Sequence, residues 1–211
     1  MTSAANKRSV MTLFSNNDDI YCHQVRFVLA EKGAAYEIET IVPGTINEHL
    51  MEVNSKGTVP TLMDRNLVIR TPHIILEYLD ERFPHPPLMP VFPVERAQKR
   101  QLMHDIQESW YQYIKVAEFG KTEAERARAL KFLKEQFLAI SAHFTPYFMS
   151  EEFSLVDCYI APLLWKMQNL GVEFTGAGSK AVKTYMDRVF SRESFQESIN
   201  CVTPKNFMEE K

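Results

Sequence analysis

A thiol and two carboxylates crowd one short stretch of this chain, with Asp18, Asp19 and Cys22 inside NNDDIYCHQV. Ile20, Val25, Val28 and Leu29 recur at helical spacing, so the cluster stands at the start of a helix. A thiol in a first helical turn can be activated, because the helix N-terminus favours the thiolate. Cys22 also stands where the second cysteine of a Cys-x-x-Cys redox pair would fall, but position 19 holds Asp. An ionised carboxylate accepts hydrogen bonds and cannot donate one, and its charge repels a thiolate. The expectation is a packed, inert Cys22, with Asp19 capping the helix. Cys158 lies within an apolar run and reads as core.

The six histidines show no metal-binding spacing: there is no His-Glu-x-x-His, no cysteine pair and no His–Cys cluster. No metal is expected. His23, His49, His73 and His104 read as surface or helix-face residues. His85 differs because Pro84 and Pro86 flank it. Its backbone is stiff, so its imidazole is presented with little entropy left to lose. A plain linker would need no pocket there and a binding surface would; composition leaves both open.

The totals bound these readings. The chain has 211 residues, 45% of them hydrophobic, enough for one large or two small cored domains. A net charge of −3 argues against a dedicated nucleic-acid surface, which shows a basic excess. The interleaved charges of KTEAERARALKFLKEQ read as a solvated helix face. No apolar run approaches the ~20 residues of a membrane span, and MTSAANKRSV does not read as a secretory signal. Three widely spaced cysteines, the third being Cys201, do not make a disulfide framework, so a reducing cytoplasm is the expected compartment.

The elements that must position these residues change type along the chain. Residues 10–14 read as a strand, 20–32 as a helix ending at Gly33, 36–41 as a strand and 46–53 as a short helix. Residues 59–63 form a strand entered through Pro60, with 66–69 as its hairpin partner. Thr71 then caps a helix with Pro72 at its first position, running to about Arg82. The segment FPHPPLMPVFP, residues 83–93, holds five prolines and tolerates no regular helix or central strand. After it the strand signals stop. Helices are expected over 94–120, carrying Trp110 and Tyr111, over 123–144 behind a Thr122-x-x-Glu125 box, over 155–170 behind Ser154-x-x-Asp157, and over 179–190. The third is apolar all round and contains Pro162, which should bend it. The tail from Thr203 is expected to fray.

A βαβ unit, a Val-Pro-Thr strand, a ββα unit, a linker and then helices is the order of the glutathione transferase fold, which this chain resembles. The resemblance implies an α/β thioredoxin-like N-terminal domain over 1–87, a proline-rich linker over 88–93 and an all-helical domain over 94–211. Val59-Pro60 resembles the family's cis-proline beside glutathione, and Ser154-x-x-Asp157 its buried capping box. The stretches ANKRSVMTLFS, DIYCHQVRFVLAEKG, EYLDERFPHPPLMPVFPVERA and EEFSLVDCYIAPLLW resemble more narrowly the stringent starvation protein A family, RNA-polymerase-associated proteins with a transferase-like fold. That resemblance implies a homodimer bound to polymerase holoenzyme, at the sigma subunit and the nearby zinc-binding part of the largest subunit. It implies a partner-binding pocket at Pro84, His85, Pro86 and Pro87, and no cofactor, no membrane partner and no direct sequence-specific nucleic-acid binding.

It also implies no transferase activity. Where thioredoxin-like proteins place a reactive Cys, Ser or Tyr, this chain has Asp19. Where transferases hold the γ-glutamyl group with an acidic residue followed by Ser, it has Thr71 and Pro72, without carboxylate or N–H. The rival reading is a glutathione-dependent transferase or thiol reductase using Ser15, Tyr21 or Cys22 in place of Asp19.

Overall fold

Four short strands come first because their apolar residues alternate or run together between turn signals. In the computed structural model, which describes residues 10–200, they are β1 (Met11–Ser15), β2 (Tyr36–Thr40), β3 (Thr61–Asp64) and β4 (Leu67–Ile69). The sheet order is β2-β1-β3-β4. β1 runs parallel to β2, with Met11 opposite Tyr36, and antiparallel to β3, with Leu13 opposite Leu62. The parallel pair needs a crossover, supplied by α1 (Ile20–Glu31). α2 (Glu48–Val53) and α3 (Pro72–Arg82) complete this part. Val59–Pro60 is a cis peptide, and β3 opens just after it, at Thr61.

The helical part follows as α4 (Pro93–Phe119), α5 (Glu123–Ala139), α6 (Leu155–Asn169), α7 (Ser179–Phe190) and α8 (Glu193–Ser198). The described residues divide into two compact units: residues 84–196 form one, and residues 10–83 with 197–200 form the other. The proline-rich segment thus belongs to the helical unit from Pro84 onward. Cys201 and the tail from Thr203 lie outside the described residues.

The first unit buries most of α1, including Cys22, Val25, Phe27, Val28 and Leu29, and with them the cationic side chains of Arg26 and Lys32. Buried charges need partners. Lys32 Nζ stands 2.6 Å from Asp80 Oδ1 on α3. Arg26 donates to Ser15 Oγ at 2.8 Å, to the Asn16 carbonyl at 2.9 Å and to the Ser198 carbonyl at 2.7 Å.

In the helical unit α6 is buried on all sides from Leu155 to Leu164, with Pro162 inside it. α4 turns Met103, Ile106, Ile114 and Ala117 inward at helical spacing, and Tyr111 donates to the Tyr159 carbonyl at 2.9 Å. Trp110 packs on Phe137, ring centroids 4.8 Å apart. α5 opens with the expected box, Glu125 N–H to Thr122 Oγ1 at 3.2 Å and Thr122 N–H to Glu125 Oε2 at 3.3 Å. It stops at Ala139, short of the Phe144 expected from sequence. A 3₁₀ turn at Ser141–His143 redirects the chain, so that Phe144 joins Phe137, Phe148 and Tyr185 in an aromatic cluster. α8 was not expected, because its polar sequence ESFQES shows little apolar periodicity.

Candidate functional site

The residues that could do chemistry at the start of α1 are engaged in holding its backbone. Asp19 is the N-cap residue, and its Oδ1 accepts the Cys22 N–H at 2.7 Å. The turn before it closes on Asn16, whose Oδ1 accepts the N–H groups of Asp18 at 2.7 Å and Asp19 at 3.2 Å. Such caps satisfy donors that a helix start leaves open. Cys22 is fully buried and its sulfur accepts the Asn16 N–H at 3.3 Å. Burial, and after it the Asp19 charge, push the thiol well above its usual range. A thiol so placed is a poor nucleophile. Ser15 is equally buried and holds Arg26.

The second expected half of a glutathione site lies at the start of α3. Thr71 occupies the N-cap position with Pro72 after it, but the Thr71 side chain makes no capping hydrogen bond. Pro60 is buried behind its cis bond. Nearby, Asn54 Nδ2 donates to the Thr58 carbonyl at 3.1 Å and to Thr61 Oγ1 at 3.0 Å, tying the approach to β3.

The proline segment presents another surface. Pro84, His85, Pro86 and Pro87 are all exposed. The His85–Pro86 bond is also cis, a feature that no sequence motif signals. Directly after them Leu88 and Met89 turn inward, 3% and 5% exposed, and the Leu88 carbonyl accepts the Leu155 N–H at 2.8 Å. This bond serves a donor in the first turn of α6 and pins the segment to it.

Beside this anchor lies a cleft of about 630 Å³. Pro87 to Val91 form one wall, Glu95, Lys99 and Leu102 of α4 another, and Met149, Ser150 and Glu152 to Ser154 a third. Of the four expected pocket residues, Pro87 lines it; Pro84, His85 and Pro86 do not. The residues of α4 and of the loop before α6 were missed, the only sequence signal near them being the Ser154-x-x-Asp157 motif.

That motif supports the third wall. Asp157 Oδ2 accepts the Ser154 N–H at 2.8 Å and the Ser154 hydroxyl at 3.2 Å, within a capping box. Oδ1 accepts the Phe148 N–H at 2.9 Å and the Tyr185 hydroxyl at 2.9 Å. Burial raises the Asp157 carboxyl above its ordinary value, against the pull of the Phe148 and Ser154 N–H groups. Burial, then the Asp157 charge, push the Tyr185 phenol well above its usual range, so it stays a donor. Among the described residues, no three His, Cys, Asp or Glu side chains group so as to hold a metal ion. No described helix is long and apolar enough to cross a membrane.

Comparison with known proteins places this geometry among relatives. The family described as glutathione S-transferase, N-terminal domain matches residues 14–87, and the C-terminal domain family matches residues 103–193. The chain is 65% identical to a stringent starvation protein A homolog of Pasteurella multocida and 63% identical to that of Histophilus somni, each covering 100% of both chains. Among solved structures, a glutathione S-transferase from Rhodospirillum rubrum F11 superimposes with a TM-score of 0.80 at 20% identity, covering 95% of this chain and 99% of the other. At that identity the likeness shows the fold alone.

Proposed function

The chain belongs to the stringent starvation protein A family, with a glutathione S-transferase-like fold, and from that premise we propose that it is a non-catalytic, RNA-polymerase-associated regulator of transcription. The observation that carries the non-catalytic half is Asp19. Its carboxylate is committed to the Cys22 N–H at 2.7 Å, at the position where a transferase needs a hydroxyl or thiol donor. A charged acceptor there disfavours a glutathione thiolate. Thr71 and Pro72 bring no carboxylate to the γ-glutamyl position. Of Ser15, Tyr21 and Cys22, which a glutathione-dependent rival would enlist, Ser15 and Cys22 are buried and Tyr21 is half-buried.

The regulatory half rests on the family and on Pro84, His85, Pro86 and Pro87. In this reading the protein works in the cytoplasm as a homodimer. The exposed, conformationally restricted proline–histidine face docks on polymerase holoenzyme at the sigma subunit. Rigid loops on a packed scaffold suit binding, because little entropy is lost on docking. The acidic balance suits a protein partner rather than bare DNA.

The test is a pull-down of polymerase holoenzyme with the parent and with a variant carrying Pro84→Ala, His85→Ala and Pro86→Ala. These side chains are exposed, so the variant should fold and sediment as the parent does. It should lose polymerase, a loss of several kcal/mol being typical of interface hot spots. Unchanged retention by a folded variant would put the contact elsewhere.

A further inference from the structure

The cleft beside the prolines has the anatomy of a peptide-docking groove, and we propose that it binds a short apolar segment of a partner protein flanked by Lys or Arg. Four observations, all within the helical unit, carry the assignment.

The first is the layout of polarity. Leu88, Met89 and Leu102 lie on the walls, while Glu95, Gln98 and Glu152 are exposed. An apolar centre inside a polar rim is how protein interfaces are built. Two hydroxyls of the wall are engaged within the chain: that of Ser154 donates to Asp157 at 3.2 Å, and that of Ser150 accepts the Glu152 N–H at 3.2 Å.

The second is size. At about 630 Å³ the cleft has room for more than one apolar side chain of a docked segment. The third is preorganisation. Phe153 is wedged between Arg192, whose guanidinium carbon lies 4.2 Å from its ring centroid, and Tyr147, 5.5 Å away. Met149 is held at φ 53°, a left-handed conformation uncommon outside glycine, with its N–H on the His143 carbonyl at 2.8 Å. Leu88 is tied to Leu155. A groove already shaped loses little entropy when occupied, and methionines at its edge adapt to varied apolar side chains.

The fourth is charge, which selects the flanks of the occupant. Two carboxylates, Glu95 and Glu152, face one ammonium, Lys99, around the lining. The excess negative charge favours a basic segment and repels an acidic one. Val91, 82% exposed, and Met149, 50% exposed, extend the apolar surface past the rim.

The test contains no polymerase, so its outcome is independent of the function proposed above. Two end-blocked fluorescent peptides, Lys-Lys-Leu-Phe-Leu-Lys-Lys and Glu-Glu-Leu-Phe-Leu-Glu-Glu, are titrated with the full chain by anisotropy. The basic peptide should bind saturably and at least about tenfold more tightly than the acidic one, with affinity falling as salt rises. The double variant Glu95→Lys and Glu152→Lys, both at exposed positions, should reverse that preference. Absence of binding by the parent, equal binding of both peptides, or a preference that survives the charge reversal would overturn the assignment. So would a change in sedimenting mass of the double variant, which would make the cleft a contact between copies.

Discussion

Replacing Asp157 by Ala should destabilise the helical unit far more than loss of an ordinary helix cap. A surface N-cap is worth about 1 kcal/mol. Asp157 is fully buried and accepts four hydrogen bonds, two from Ser154, one from the Phe148 N–H and one from Tyr185. Truncation strands the Ser154 and Phe148 N–H groups and the Tyr185 hydroxyl in the interior. Each stranded buried donor costs about 1–3 kcal/mol. Two effects offset part of that sum. Burial already disfavours the charged carboxylate, as its raised pKa indicates, and water can enter the vacated space. The expected net loss is about 3–5 kcal/mol, within the range for breaking a buried polar network. For a chain of 211 residues this corresponds to a fall in Tm of roughly 6–20 °C. Tyr185→Phe, which removes the donor together with its need, should cost about 1 kcal/mol. In the double variant the two losses should not add, because both act on Asp157 Oδ1. Urea and thermal unfolding at fixed protein concentration provide the measurement. A Tm for the Asp157→Ala variant within about 2 °C of the parent would refute the four-bond account, since no shift of that size fits stranded donors.

Three further outcomes follow from the site at α1 and from the family. Glutathione at millimolar concentration should give no saturable heat by calorimetry and no conjugation to a standard electrophile; clear binding with turnover would restore the transferase reading. Cys22, whose thiol burial pushes well above its ordinary range, should resist a chromogenic disulfide at pH 8, so that parent and Cys22→Ser variant release the same native thiol count; one additional fast thiol in the parent would contradict the burial. Sedimentation at micromolar concentration should give twice the 24.5 kDa chain mass, and a monomer there would remove the homodimer from the functional picture.

What the sequence determined by itself was whatever depends on near neighbours along the chain. Asp19 as a cap is legible because the bond spans three residues, and the Thr122 and Ser154 boxes are legible for the same reason. The break at the prolines follows from the chemistry of the proline ring at each position. The sheet and helix order follow from periodicity, and α8 was missed because its six residues carry almost none. Tertiary structure alone decided what Asp157 does beyond its cap: Tyr185 reaches it from 28 residues away. It alone brought the Ser198 carbonyl to Arg26, 172 residues apart, satisfying a buried cation that no local pattern explains. The cleft is the same kind of fact. Its walls come from the proline segment, α4 and the loop before α6, and the Leu88–Leu155 bond beside it joins segments far apart in sequence. Residue type fixes local conformational preference, but a concave surface exists only where distant segments pack, and their approach is set by burial of the whole core rather than by any one stretch.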